Sequence, residues 1–198
     1  MAVTDTIPVV PSRPRETDLM RSAIRLFRER GFHATSMQDL AEALGMNRGS
    51  LYHYINSKDD LLWSIVNGAL GRLDERVRPI LESDAPGKDR LRQAIAAHLA
   101  FAAEHADELS LVQIELRSLS PERRRATVER RDAYERLWRA AIGAALAEGS
   151  IRPTNVRLAG IAILSACNWF TQWYRPNGEM TLDEIAVQFA DLFLAPPC

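Results

Sequence analysis

The chain of 198 residues is poor in features that mark several protein classes. Its two cysteines, Cys167 and Cys198, are too few for the disulfide framework of a small secreted domain. Cys167 lies in an apolar run and is expected as a buried thiol, Cys198 as part of a mobile terminus. The longest apolar run, Leu158 to Cys167, carries Ser165 and falls well short of the ~20 residues that span a bilayer. Near the N-terminus, Asp5, Pro8, Pro11 and Pro14 break up any leader-like apolar core. A cytoplasmic protein with no membrane partner is therefore expected. No stretch alternates with period two and no segment repeats, which argues against a sheet. Also missing are G-x-S-x-G, a glycine-rich phosphate loop and H-E-x-x-H. His98 and His105 stand seven apart with no cysteine near, poor spacing for a metal. No catalytic residue, metal or cofactor is assigned. The formal net charge of −1 gives no bulk sign of nucleic acid.

What the chain does have is concentrated between Thr35 and Lys58. Ser36 stands at an N-cap, with Asp39 three residues on to return a bond to the cap. Met37, Leu40, Ala41 and Leu44 then repeat with helical spacing, and Gly45 is a natural left-handed stop. Asn47 caps a second helix in which Leu51 and Ile55 share an inward face. Arg48, Ser50, Tyr52, His53 and Tyr54 are left facing outward. Two tyrosines and a histidine on an exposed turn waste apolar surface, and Arg48 opposes the helix dipole. A nucleic-acid backbone resolves both: phosphate brings negative charge to this end, and the rings offer stacking area and polar tips. Local charge agrees modestly. From Arg13 to Lys58 there are eight basic residues and five acidic ones.

Residues 15 to 62 resemble the DNA-binding domain of the TetR family of transcriptional repressors. The resemblance rests on Ala23 to Phe27, Gly31-Phe32, Thr35-Ser36, Leu40-Ala41, Gly45 and Gly49-Ser50-Leu51-Tyr52-His53-Tyr54 ahead of Ser57-Lys58. Ile55 departs from the family's usual phenylalanine, a core exchange. The resemblance implies an all-α fold, with an N-terminal three-helix helix-turn-helix DNA-binding domain and a larger C-terminal helical domain for ligand binding and dimerisation. It also implies a double-stranded operator as partner, contacted by Thr35, Ser36, Arg48, Gly49, Ser50, Tyr52, His53, Tyr54 and Lys58. Position on the reading helix, together with what the resemblance implies at matching residues, assigns Lys58 and Tyr54 mainly to phosphates and includes the base-reading contacts among Arg48, Ser50, Tyr52 and His53.

The rest of the chain reads as helix throughout. Residues 1–14 are expected to be a disordered arm, from which Arg13 and, just beyond it, Arg15 could reach a minor groove. Residues 15–60 form the DNA-binding domain and 61–198 the regulatory and dimerisation domain. A helix from Glu16 ends at Gly31, with Phe32 folded back on Phe27. Ser57 and Asp60 cap a long helix linking the two halves, broken by Pro79 and by the stretch Ser83 to Lys88. Helices with stripes at Leu91–Ala102 and Leu109–Leu116 follow. Ser120-Pro121 opens another that Gly149 ends. Val156 to Tyr174 is apolar nearly all round, and Thr181 with Glu184 caps the last helix. This last pair suits a subunit interface of a homodimer, formed by Trp169, Phe170, Trp173, Ile185, Phe189 and Leu192.

Polar residues on apolar faces suit a cavity with a few placed hydrogen-bonding groups. The candidates for ligand contact are Trp63, His98, Phe101, Gln113, Arg124, Arg131, Trp138 and Asn168. Arg123, Arg124, Arg125, Arg130 and Arg131 read either as a solvated face paired to Glu122, Glu129 and Glu135 or as a phosphate site. Ser120 to Tyr134, together with Asn168-Trp169 and Trp173 to Pro176, is similar to TetR regulatory domains that sense acyl-CoA thioesters of lipid or steroid breakdown. That similarity implies a small-molecule effector, an acyl-CoA, held by arginines at its phosphates. Another apolar effector, such as a drug or flavonoid-like aromatic of an efflux or aromatic-compound pathway, and a helical protein-binding adaptor are the alternatives.

Overall fold

Helical periodicity from end to end is realised as nine α-helices among the described residues. The computed structural model describes residues 16–152 and 155–195. They are α1 (Glu16–Arg30), α2 (Met37–Ala43), α3 (Arg48–Leu51), α4 (Lys58–Leu81), α5 (Gly87–Glu104), α6 (Ala106–Ile114), α7 (Pro121–Ala147), α8 (Val156–Trp173) and α9 (Leu182–Phe193). A short 3-10 turn, Leu116–Ser118, follows α6. None of the helices is long and apolar enough to cross a membrane, among the described residues. The arm expected over residues 1–14, Arg15 and Cys198 lie outside the described residues.

The ends of the helices follow local rules. Gly31, Gly45 and Gly149 have φ of 85°, 66° and 67°, the left-handed region that glycine enters without a Cβ clash. Ser36 with Asp39 and Thr181 with Glu184 form complete capping boxes. At Ser57 the cap is different. Its oxygen accepts from the Asp60 N–H, but the Asp60 carboxylate turns to the Ser57 hydroxyl and to Arg123 on α7. The Arg123 guanidinium holds the Asp60 carboxyl below its usual pKa. Pro79 does not break α4 as expected. It sits exposed in the last turn, and the helix runs on to Leu81. Pro79 still removes one helical N–H bond there, and the burial of Val77 and Leu81 on either side holds the turn helical.

The N-terminal three helices close over Leu19, Ala23, Phe27, Leu40 and Leu51, with Phe32 set edge-on to Phe27 at 5.2 Å between ring centres. Leu61, Leu62, Ile65 and Val66 of α4 complete that core, and Leu73 and Val77 carry the same helix into the next. There α5 is the central element, packed on α4, α7, α8 and α9. Leu91, Ala94, Ile95, His98 and Leu99 are fully buried along it. Each such aliphatic side chain contributes about 1.5–3 kcal/mol on burial.

α5 begins without a capping side chain, at Pro86. Instead the Gly87 N–H donates to the Glu148 carboxylate at 2.7 Å, across 61 residues of sequence. That bond needs the backbones to touch. A Cβ on Gly87 would lie 2.7 Å from the Cα of Ala145. Gly87→Ala is therefore expected to destabilise the protein by about 1–3 kcal/mol, the usual cost of overpacking. Urea unfolding tests this, and an unchanged midpoint would contradict so tight an α5–α7 approach.

Candidate nucleic-acid interface and ligand cavity

The reading unit is shorter than a two-turn helix. Asn47 accepts from the Ser50 N–H at 2.7 Å, α3 runs only from Arg48 to Leu51, and Tyr52 to Tyr54 form a turn. The Ile55 N–H still bonds the Leu51 carbonyl at 3.2 Å, so Ile55 stays half-buried against the core. Arg48, Gly49 and His53 are exposed, Ser50 is half-buried, and Tyr52 and Tyr54 expose 42% and 41% of their surface. Arg48 donates to the Tyr52 hydroxyl at 3.0 Å, with its guanidinium 5.7 Å from the ring centre. This pairs a cation with an aromatic plane on an open surface, a unit able to face phosphate and base edge together.

A second site lies in the C-terminal part. A cavity of about 300 Å³ opens between α4, α7 and α8. Leu70, Leu73, Val128, Ile161 and Leu164 give it an apolar wall, while Asp74, Asp132 and Glu135 stand against Arg130 and Arg131, and Tyr134, Ser165 and Asn168 add neutral polar groups. Beneath it lies a buried polar cluster. His98 Nδ1 is 3.2 Å from the Tyr134 hydroxyl, and the His98, Tyr134 and Trp138 rings lie within 6.2 Å of one another. Burial pushes the His98 imidazole down to about 4, with Asn168 opposing weakly, so the ring is neutral at pH 7. His98 Nε2 and Trp138 Nε1 have no hydrogen bond of normal geometry. Gln113 on α6 donates to the Asn168 carbonyl at 2.7 Å. A larger crevice of about 840 Å³, between α1, α4 and the α5–α6 junction, is lined by charged residues of both signs. Ion pairs Arg28–Asp107 and Arg72–Glu108 lie beside it, and Met20, Ile24, Ile65 and Ala103 add apolar lining.

Comparison with known proteins agrees with both halves. Residues 19–65 match the family described as bacterial regulatory proteins, tetR family, and residues 84–196 match the tetracyclin repressor-like C-terminal domain. The chain belongs to the TetR family. It is 33% identical over 184 residues to the HTH-type transcriptional repressor KstR2 of Rhodococcus jostii (strain RHA1), covering 91% of this chain and 89% of that protein. Among solved structures it resembles the TetR family transcriptional regulator PfmR from Thermus thermophilus, with a TM-score of 0.82 and 38% identity over 90% of this chain and 97% of that one. AibR, solved with isovaleryl coenzyme A and operator DNA, gives a TM-score of 0.82 and 27% identity over 90% and 97%. The protein is thus a TetR-type DNA-binding transcriptional repressor.

The TetR fold brings some of the expected residues together and separates others. Thr35 is buried, its hydroxyl donating to the Gly31 carbonyl at 2.9 Å, so it faces inward and not toward DNA. Ser36 is exposed but is occupied as the α2 cap. Lys58 is spoken for as well. Its ammonium donates to the carbonyls of Phe32 at 2.7 Å, His33 at 3.3 Å and Thr35 at 2.8 Å, and lies 4.4 Å over the Phe32 ring. In the ligand set, only Arg131 and Asn168 line the α4–α7–α8 cavity, with His98 and Trp138 in the cluster beneath and Gln113 behind Asn168. Trp63 instead sits under Arg123, Phe101 packs on His105, and Arg124 is exposed away from the cavity. The arginine run divides likewise, since Arg123 pairs with Asp60 and Arg130 donates to the carbonyl and side-chain oxygens of Asn67. In the interface set, Phe170 and Ile185 are buried within their own subunit and Phe189 half-buried, while Trp169, Trp173 and Leu192 expose 63%, 44% and 72%. An amphipathic period cannot say which apolar face its own chain will cover.

Lys58→Met keeps the stem on Phe32 and leaves three carbonyls without their donor. It is expected to cost about 1–3 kcal/mol of stability while the log–log salt slope of operator binding stays at the wild-type value. Urea unfolding and salt-dependent operator titrations check both. Unchanged stability with a slope flattened by about 0.9 would return Lys58 to a phosphate.

Proposed function

We propose that the protein is a homodimeric cytoplasmic repressor, not an enzyme, released from its operator by an acyl-CoA thioester. Residues 15–60 serve as the reading head and 61–198 as the regulatory and dimerisation part. Arg48, Ser50, Tyr52 and His53 meet base edges, Gly49 lets the backbone come close, and Tyr54 meets a phosphate. One short reading unit has few contacts, and a second copy one duplex turn away, roughly 34–36 Å, doubles them. The second copy is supported by the apolar face that α8 and α9 leave open. Leu158, Ile161, Trp169, Trp173, Val187 and Leu192 are all exposed there, far more than isolated surface apolar residues account for.

The observation that carries the effector reading is the cavity between α4, α7 and α8. Its apolar wall fits a hydrocarbon group, the neutral His98–Tyr134 cluster below supports Asn168, and Arg131 stands exposed at the mouth. An arginine there offers a planar fork to a phosphate of the CoA moiety, a group that the free acid lacks. A volume of about 300 Å³ favours an acyl group of short or medium length. AibR, bound in its solved structure to isovaleryl coenzyme A, supports the same chemistry.

Operator titrations with isovaleryl-, octanoyl- and palmitoyl-CoA, each against its free acid, test the reading. The fitting thioester is expected to weaken operator binding about 5–150-fold, the range of ordinary allosteric coupling. The free acid should act far more weakly, and Arg131→Ala should erase most of that difference. Equal potency of acid and thioester would remove the arginine's role, and no response to any thioester would reject the effector class.

A further inference from the structure

The turn between α1 and α2 is held from the regulatory side by a buried carboxylate. Glu115 follows α6 and is 8% exposed. Its Oε1 accepts from the Phe32 N–H at 3.1 Å, 83 residues away in sequence. Its Oε2 accepts from the Ser118 hydroxyl at 2.6 Å, and that hydroxyl lies 3.1 Å from His33 Nε2. Phe32 is itself buried and begins the turn that leads into the α2 cap, so this N–H has no water to turn to. Two residues before Glu115, Gln113 is bonded to the Asn168 carbonyl on α8. Asn168 lines the α4–α7–α8 cavity. The C-terminal end of α6 therefore touches the cavity wall through one side chain and the reading head through the next.

We propose that Glu115 is a positioning residue for DNA reading, and that Gln113 and Glu115 form a strut setting the angle of the reading head from the cavity. A hydrogen bond to an ionised acceptor is among the stronger ones, and losing it here leaves a buried donor without a partner. The head would then be free to rock on α4, and the reading residues would lose register with the duplex. Displacing α8 at Asn168, whose main-chain carbonyl Gln113 holds, would pull on the same strut, which gives an effector a route to the head that bypasses α4. This rests on the reading of α2 and α3 as the DNA interface.

The test uses the full-length protein and a duplex that the wild type selects from a random-sequence pool. In Glu115→Ala the Phe32 amide should exchange with deuterium about tenfold faster or more, and the selected duplex should bind roughly tenfold weaker. Exchange in α5 and α9 should stay as in the wild type. Glu115→Gln keeps an oxygen for the Phe32 N–H and should restore both readouts toward wild type. Gln113→Ala should speed Phe32 exchange to a smaller degree. Wild-type exchange and affinity in Glu115→Ala would overturn the proposal. So would equal defects in Glu115→Ala and Glu115→Gln, which would make charge and not the hydrogen bond the cause. Should Glu115→Ala loosen the whole protein, Gln113→Ala decides, and an unchanged Phe32 rate there overturns the strut. If the wild type selects no duplex, the reading of the DNA interface fails, while the exchange rates still judge the strut.

Discussion

The turn from Gly31 to Thr35 joins α1 to α2, and its backbone is gripped from two directions. Lys58 at the start of α4 donates to three of its carbonyls, and Glu115 at the end of α6 accepts from the Phe32 N–H. Buried backbone groups must find partners, and here the Thr35 N–H and hydroxyl supply some from within the turn while Lys58 and Glu115 supply the rest from outside it. The orientation of α2, and through it of the Arg48 to Tyr54 surface, depends on that grip. A helix-turn-helix held only by its own small core would be free to tilt. Two charge-assisted anchors on different helices turn its angle into a property of the whole protein.

In the C-terminal part α5 is enclosed by α4, α6, α7, α8 and α9, and the proposed effector cavity lies beside it, between α4, α7 and α8. His98 sits below that space as a neutral ring, its pKa pushed down by burial, with Tyr134 as hydrogen-bond partner. Its Nε2 and the Trp138 Nε1 stay buried without a hydrogen bond of normal geometry. α4 passes from the reading head along the cavity's edge, and α6 runs from the cavity's back wall to the same turn. Lys58 of α4 and Glu115 after α6 both end on residues 31–35.

Much of this was legible in the sequence because it obeys local rules. The capping boxes at Ser36 and Thr181, the left-handed glycines 31, 45 and 149 and the Phe27–Phe32 contact follow from neighbours a few residues apart. The helical fold and the TetR assignment rest on such signals. What stayed hidden depends on residues distant in sequence. Lys58 looks like a phosphate ligand until the carbonyls 23 to 26 residues earlier are placed around it. Phe170 and Trp169 are neighbours on one apolar helix, and only the packed neighbours α5, α6 and α7 decide that one is buried and the other open. Glu115 carries no signal at all, being a lone acid after a short helix. A run of five arginines suggested one site, yet Arg123 and Arg130 are consumed by α4, and Arg131 lines the cavity.

If Lys58 and Glu115 act on one turn, their effects on operator affinity must depend on each other. A double-mutant cycle of Lys58→Met and Glu115→Ala, read as binding of the selected duplex, measures that dependence directly. The account expects the double variant to lose less than the sum of the single losses, with an interaction energy of about 0.5–3 kcal/mol. Strict additivity, within about 0.3–0.5 kcal/mol, would mean that the two side chains act on separate elements and that the gripped turn does not govern DNA reading.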